Sequence, residues 1–355
     1  MLTHEVVGNP HCHTRYSDGH GNHQDIARAA IDAGLDFVVV SDHNVWVGGM
    51  DGYRYRGRDR VLLLVGEEIH DQDRQPQKNH LLVYESGEEL AAYAHDTQTL
   101  LDAVRARDGL AFLAHPSDPA APLFDEDDLS WEDWTVSGFN GIELWNFMSE
   151  FKSKLSSRLR AVLLAYNPSL IAEGPFPDVL ERWDRMLSDG KPVYAIGGSD
   201  AHAAPASMGP LKRVIFPYEF LFQTVNTHVL LENPLSGDSA EDRRRIFRAM
   251  RAGRCFVGYD LPAPTHGFRF SAFGDRDEAA MGGSLDLRLG ATVQIHTPRR
   301  ALIRLIKDGR IVQTWRDSQS AVHTVREPGA YRAEAYLSYM GKLRGWIYSN
   351  PIFIR

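Results

Sequence analysis

The sequence predicts an α/β protein in two parts: a parallel β/α sheet or barrel over residues 1–260, then a small antiparallel β-sandwich of the immunoglobulin-like type over 261–355. Three observations carry this. Short β-branched runs alternate with amphipathic helical patterns through the first part. From about Leu261, past Pro262 and Pro264, the helical patterns stop and short alternating strands take over. A His, Asp or Glu stands at one strand end after another, where β/α barrels keep their chemistry.

Taken in order, the chain opens on a short strand ending in His11-Cys12-His13, followed by a loop with Asp18 and Gly19. Asn22 to Ala33 reads as a helix, with Ile26, Ala29, Ala30 and Ala33 on one face and Gly34 as its stop. Leu35 to Val40 is an apolar run of the kind buried on both faces of a sheet, and it ends in Ser41-Asp42-His43-Asn44. Arg60 to Val65 leads to Gly66-Glu67-Glu68-Ile69-His70, and His80 directly precedes the strand Leu81 to Tyr84. A helix over Thr99 to Arg107 leads into Leu110 to Ala114 and then His115-Pro116. Gly141 to Asn146 is a strand, Glu150 to Ala165 a helix, and Pro177 to Ser188 a second helix. Pro192 to Ile196 then reaches Gly197-Gly198-Ser199-Asp200-Ala201-His202. A last β/α step is expected from a strand at Thr227 to Leu231 and a helix at Ser239 to Ala252. Beyond it, six short strands are expected, at 266–273, 291–296, 301–306, 311–315, 331–336 and 344–348, with Asp308-Gly309 as a hairpin turn.

Composition narrows the function classes. A net charge of −8 argues against a protein that coats nucleic acid, which needs a basic face. With two cysteines, Cys12 and Cys255, neither a disulfide framework nor a Cys-rich zinc motif is expected. No run approaches a membrane span, and Met1 to Pro10 lacks the basic start and apolar stretch of a signal peptide, so a cytoplasmic protein is expected. Homo-oligomerisation stays open.

The strand endings hold the chemistry: His11, His13, Asp18, His43, Glu68, His80, His115, Asp200 and His202. Side-chain direction along a strand repeats every second residue, so His11 and His13 point their imidazoles to one side. Singly, each residue has an ordinary explanation: His115 beside Pro116 as a strand-end cap, Asp200 as a helix cap, Glu68 as a solvated charge. Imidazoles and carboxylates recurring at successive strand ends instead suit two or three divalent cations, with a carboxylate such as Glu68 bridging two of them.

These endings carry a resemblance. His11-x-His13 with Asp18, Ser41-Asp42-His43, Gly66-x-Glu68, Ala114-His115-Pro116 and Gly198-Ser199-Asp200-Ala201-His202 resemble, in order, the motifs of the PHP (polymerase and histidinol-phosphatase) family. The resemblance implies a distorted (β/α)7 barrel with a binuclear or trinuclear centre of Zn, Mn or Fe that hydrolyses phosphoesters. It implies one metal on His11, His13, Glu68 and Asp200, a second sharing Glu68 with His80 and His115, and a third on Asp18, His43 and His202. Many family members have His where this chain has Asp18, whereas one phosphoesterase branch has Asp. Ala252-Gly253-Arg254-Cys255-Phe256-Val257 and the ending Gly345 to Ile352 resemble the CehA/McbA branch, which adds a β-sandwich after the barrel and is named for hydrolases of aryl carbamate esters.

The expected reaction is hydrolysis of a small phosphomonoester or phosphodiester by a hydroxide held between two metals. Asp200 is the candidate to take the proton of that water, and His43 or His202 to protonate the leaving oxygen if the third metal is absent. Arg15 and Lys78 are candidate binders of substrate oxygens, with Arg56 and Arg58 on similar loops. Asp42 is expected to orient a ligand histidine, and His70, Trp145 and Asn146 to line the site. Carboxyl-ester or carbamate hydrolysis is the alternative. A more distant one is a non-catalytic, metal-stabilised binding module, against which every ligand position is filled.

Overall fold

β1 (His4–Asn9) sets the frame, because strands of both halves of the chain build outward from it. The computed structural model describes residues 4–208, 211–287 and 290–355. On one side β1 pairs in parallel with β2 (Phe37–Val40), and β2 with β4 (Asp59–Ile69); β3 (Gly52–Arg56) forms a hairpin with β4. The sheet continues through β5 (Leu81–Tyr84), β6 (Leu110–Leu113), β7 (Gly141–Asn146) and β8 (Tyr194–Gly198). β5 is antiparallel to both neighbours, while β6, β7 and β8 run parallel. Beyond β8, Ala201 bridges in parallel to Cys12, and His13 N donates to Ala201 O at 2.9 Å. The segment after the last of these strands therefore meets the segment after the first.

The apolar runs are explained by burial on both faces. Val38, Val40, Leu63, Val65 and Leu113 pack on one side with residues of α1 (His23–Asp32), α2 (Thr97–Ala106) and α5 (Pro177–Ser188). Phe37, Val39, Leu62, Leu64 and Phe112 pack on the other with Ile246, Phe247 and Met250 of α7 (Ser239–Arg251). The helix expected over 150–165 is two helices, α3 (Phe147–Ser153) and α4 (Arg158–Tyr166). Ser157 makes the break: its hydroxyl accepts from Arg160 N at 3.2 Å and caps α4, a role serine takes in preference to a helix interior. The hairpin of β9 (Ala204–Met208) and β10 (Leu211–Ile215), and the short helix α6 (Tyr218–Phe222), follow the Asp200 loop and were not legible as elements.

The strand expected at 227–231 does not extend the parallel series. β11 (Val225–Leu231) runs antiparallel to β1, and β12 (Cys255–Tyr259) antiparallel to β11. The later strands are β13 (Arg269–Phe273), β14 (Glu278–Ala280), β15 (Ser284–Leu285), β16 (Ala291–Lys307), β17 (Arg310–Val325), β18 (Gly329–Tyr339), β19 (Lys342–Ser349) and β20 (Ile352–Ile354). β12 pairs with β19, so hydrogen bonding runs unbroken into the C-terminal strands. The short strands expected at 291–296 and 301–306 are one strand, β16, with register shifts where they join. Tyr331 and Trp346 lie in the C-terminal core and Trp315 packs against it, whereas Tyr336 packs toward the first core.

Two polar devices join the halves. Arg332 is buried and forks onto Asp184 of α5, with both contacts at 2.6 Å. His228 of β11 is buried between Glu5 Oε1 at 2.9 Å and Asp260 Oδ2 at 3.1 Å. Burial opposes its charge, but Asp260 and Glu5 outweigh it and hold the imidazole up at about 9. Glu5 also pairs with Arg269, so this cluster with His266 is a charge network already satisfied by protein groups. A folded-state pKa above the unfolded one stabilises fully below about pH 6.5, and that stabilisation is lost as pH rises through 9. Thermal unfolding from pH 6 to 9.5 should show a decline that His228→Gln makes shallower by on the order of 3 kcal/mol. An equal decline in both proteins would remove the network from the account.

Candidate metal centre

The loops that follow β1, β2, β4, β6 and β8 all open at one end of the sheet. His80 joins them by a different route. It precedes β5, and because β5 is antiparallel, the start of that strand lies beside the ends of its neighbours. Glu68 is fully buried at the centre, and its two oxygens face different partners. Oε2 lies 2.9 Å from His11 Nε2 and 3.1 Å from His13 Nε2. Oε1 lies 2.8 Å from His80 Nδ1 and 2.9 Å from His115 Nε2.

Asp200 completes the first group, with Oδ1 3.1 Å from His13 Nε2 and 3.4 Å from His11 Nε2. Tetrahedral bonds of about 2.05 Å from a divalent ion separate neighbouring donors by about 3.3 Å, close to these spacings. Asp200 Oδ1 is buried and faces the imidazoles of His13, His11 and His202, the last at 3.5 Å, so it is a donor atom aimed into the group. A further group joins His13, Asp18, His43 and His202. Asp18 Oδ1 is 3.1 Å from His202 Nε2, and Asp18 Oδ2 is 3.6 Å from His43 Nε2. His43 turns its other nitrogen to Glu68 Oε2 at 3.4 Å and also groups with Glu68 and His80, so it stands between two sets of donors. All nine strand-end residues thus converge, and the donor chemistry and spacing fit divalent cations.

The backbone is shaped to hold them. Asp200 and His115 adopt positive φ, 56° and 26°, a region non-glycine residues seldom occupy and one that collects at functional sites. At Gly198 a Cβ would stand 2.8 Å from Glu143 Oε1 and 2.9 Å from His11 Cβ, so only glycine lets β8 pass this close. Asp42 does not orient a histidine as expected. It accepts from Thr14 N at 2.6 Å, Thr14 Oγ1 at 2.7 Å and Ser17 Oγ at 2.8 Å, and so fixes the loop that carries His13 and Asp18.

Two supporting residues were missed. Glu143 of β7 accepts from His11 Nδ1 at 3.0 Å and from His115 N at 2.9 Å, which directs His11 Nε2 toward the donors. Its signal was a carboxylate inside an otherwise apolar strand. The Tyr218 hydroxyl lies 2.8 Å from His13 O and 3.0 Å from His202 O and accepts from Gly21 N, tying together two ligand loops. Of the other expected residues, Asn146 lies 3.3 Å from Asp200 Oδ2, His70 stacks on His80, and Trp145 is buried with its indole donating to Glu150. Neither Arg15 nor Lys78 lines the cavity at this centre; Arg15 is exposed, and Lys78 Nζ sits 2.6 Å from Glu132. Arg56 pairs with Asp32, away from the cavity.

Burial disfavours charge on His11, His13, His115, Glu68 and Asp200, yet these five hold each other's charges, whereas burial keeps the His43 imidazole well below its ordinary value. Against desolvation, hydrogen bonds to Asp200 and Glu68 keep His13 up at about 10, and Glu68 keeps His115 at about 9. Glu68 is held well below the carboxylate range, burial being outweighed by His11, His43 and His80. Asp200 is likewise depressed, by His11, His13 and His202 against burial. Without metal, protons stand in for the cations these carboxylates demand. Glu143→Gln should weaken metal binding by 10- to 100-fold, read by competition with a chelating dye, because it removes the charge that polarises His11. Unchanged affinity would show that Glu143 serves only packing.

Seven of the nine converging residues, from His11 to His115, fall in one stretch with a known counterpart. Residues 9–118 match the PHP domain. Asp200 and His202 lie beyond the matched stretch of the PHP domain, and the fold returns them to it. No curated protein matches the chain. Among solved structures, it aligns with a two-domain protein from Bacteroides vulgatus containing a predicted PHP-like metal-dependent phosphoesterase, at 15% identity and a TM-score of 0.43, over 98% of this chain and 95% of that one. It also aligns with a protein from Bifidobacterium adolescentis assigned as a metal-dependent phosphoesterase, at 16% identity and a TM-score of 0.30, over 60% and 94% of the two chains. A third is an amidohydrolase from Chromobacterium violaceum with bound sulfate and no metal, at 13% identity and a TM-score of 0.28, over 59% and 92%. No helix among the described residues is long and apolar enough to cross a membrane.

Proposed function

We propose that this chain is a metal-dependent hydrolase of phosphoesters, with its centre in a distorted (β/α)7 barrel and an immunoglobulin-like sandwich appended after residue 260. One observation carries the reading: Glu68 turns its two oxygens to two separate sets of donors, as a bridging carboxylate does. Two or three ions of Zn, Mn or Fe would be held by His11, His13, Glu68 and Asp200, by Glu68, His80 and His115, and by Asp18, His43 and His202. When bound, they supply Lewis acidity and lower the pKa of a coordinated water.

The chain's own residues do the rest. Asp200 Oδ1, buried among the donors, accepts the proton of the attacking water as the new P–O bond forms. His43 and His202 line the cavity and are about one-fifth exposed, and where the third ion is absent one of them gives a proton to the leaving oxygen as the P–OR bond breaks. Glu143 and Tyr218 hold the ligand loops in place.

A panel of chromogenic phosphomonoester, phosphodiester, acyl-ester and carbamate substrates with Mn²⁺, Zn²⁺ or Fe²⁺ tests this. Chelator-sensitive cleavage of a phosphoester is the expected result, and its absence alongside ester or carbamate turnover would contradict it. Carboxyl-ester or carbamate hydrolysis, as in the CehA/McbA branch, is the second reading, favoured by the largely apolar cavity wall.

A further inference from the structure

The cavity above the ligand cluster, about 620 Å³, has two unlike ends. Its floor holds Asp18, His43, His80, His115, Asp200 and His202. Its far wall comes from α3, α4, the turn between them and the β9–β10 hairpin, which present Met148, Phe151, Leu155, Val162, Leu211 and Ile215. The cations in that wall are engaged. Lys152 Nζ lies 2.9 Å from Asp118 Oδ2 and donates to Asp127 O, while the Arg213 guanidinium sits 4.7 Å above the Tyr166 ring. Asp118 is taken by Lys152, and Glu126, Ser149 and Ser207 are the further polar side chains of the lining, so a sugar or peptide lying against the Met148, Phe151, Leu155 and Val162 stretch would lose water from its polar groups and find few partners there.

Two of the lining residues reach water: Tyr166 at the end of α4 is 51% exposed and Leu211 on the hairpin 43%. α4 also exposes Leu159 and Leu163, outside the cavity lining, at 82% and 50%. Large apolar side chains left in water together along one helix are the kind of surface that binds apolar groups. Arg158, Arg160 and Lys212 are exposed on the same two elements.

We propose that this cavity binds the alkyl chain of an amphiphilic phosphoester, its head on the ligand cluster and its chain running between α3 and α4 to the mouth. The identity of the head rests on the phosphoester reading above; the chain subsite rests on the wall. The metal at one end suits the charged head, and the carbon-lined end suits a group that gains from leaving water.

Isothermal titration of the Mn²⁺-loaded protein with methyl-, butyl-, hexyl- and octylphosphonate, below micelle-forming concentrations, tests the subsite without turnover. Affinity should climb roughly fourfold per methylene until the cavity is filled. Val162→Gln and Leu155→Asn, both at half-buried positions, should each flatten that climb. Equal affinity for methyl- and octylphosphonate, or a climb that neither variant changes, would overturn the proposal. Phosphate release from the matching alkyl phosphates separates the two readings. Release that ignores chain length keeps the phosphoester function and overturns the chain subsite. Chain-dependent phosphonate binding with no release from any ester keeps the subsite and overturns the phosphoester function.

Discussion

Glu68→Ala is expected to abolish turnover, lowering it by roughly a thousandfold or more, and to release metal from both sets of donors. The size of this effect follows from position: among the described residues, Glu68 is the one carboxylate whose oxygens lie within 3.1 Å of four imidazole nitrogens. Removing it leaves those imidazoles without their shared counter-charge, and the nearby Asp200 balances only His11 and His13. The imidazoles can shed protons to limit the cost, so the fold is expected to survive, as circular dichroism would show. Glu68→Gln keeps the shape and loses the charge, so it should fail almost as completely. A folded Glu68→Ala protein with full metal content and normal turnover would contradict the bridging role.

The second large effect concerns the C-terminal strands. Ending the chain at Asp260 should yield an aggregating protein, because the halves share both core and hydrogen bonds. Tyr348 and Phe353 belong to the core of the first half, and the Tyr348 ring meets that of Trp145 edge-on at 5.8 Å. Asn350 is buried and stitches β8 to β12, accepting from Ala195 N at 2.7 Å and donating to the carbonyls of Ala195 and Cys255. Truncation strips these partners, uncovers Trp145 and leaves β12 as an open edge. Expression of residues 1–260, followed by sedimentation and metal analysis, checks this. A soluble, metal-loaded truncate with unchanged kinetics would make the C-terminal strands a passenger.

The donors were legible because metal ligands are chemically loud: imidazoles and carboxylates at the ends of apolar runs stand out from packing residues. What supports them was quieter. Tyr218 acts on backbone carbonyls, which leave no trace in the sequence. Glu143 was visible only as a charge out of place in a buried strand. The direction of β5, which puts His80 among the ligands, depends on strand pairing and not on local pattern. The break between α3 and α4 hid for a similar reason. Ser157 competes for a backbone N–H only at a cap, and a helical apolar pattern continues on both sides of it. The unbroken run from β12 to β19 was invisible because it joins segments some ninety residues apart.

The account rests most heavily on a multi-ion centre, and elemental analysis of metal per chain tests that most directly. Protein stripped with chelator, reloaded with Mn²⁺ or Zn²⁺ and dialysed should retain at least about two ions per chain. Far less than one ion per chain, in a folded protein whose turnover ignores chelator, would contradict it.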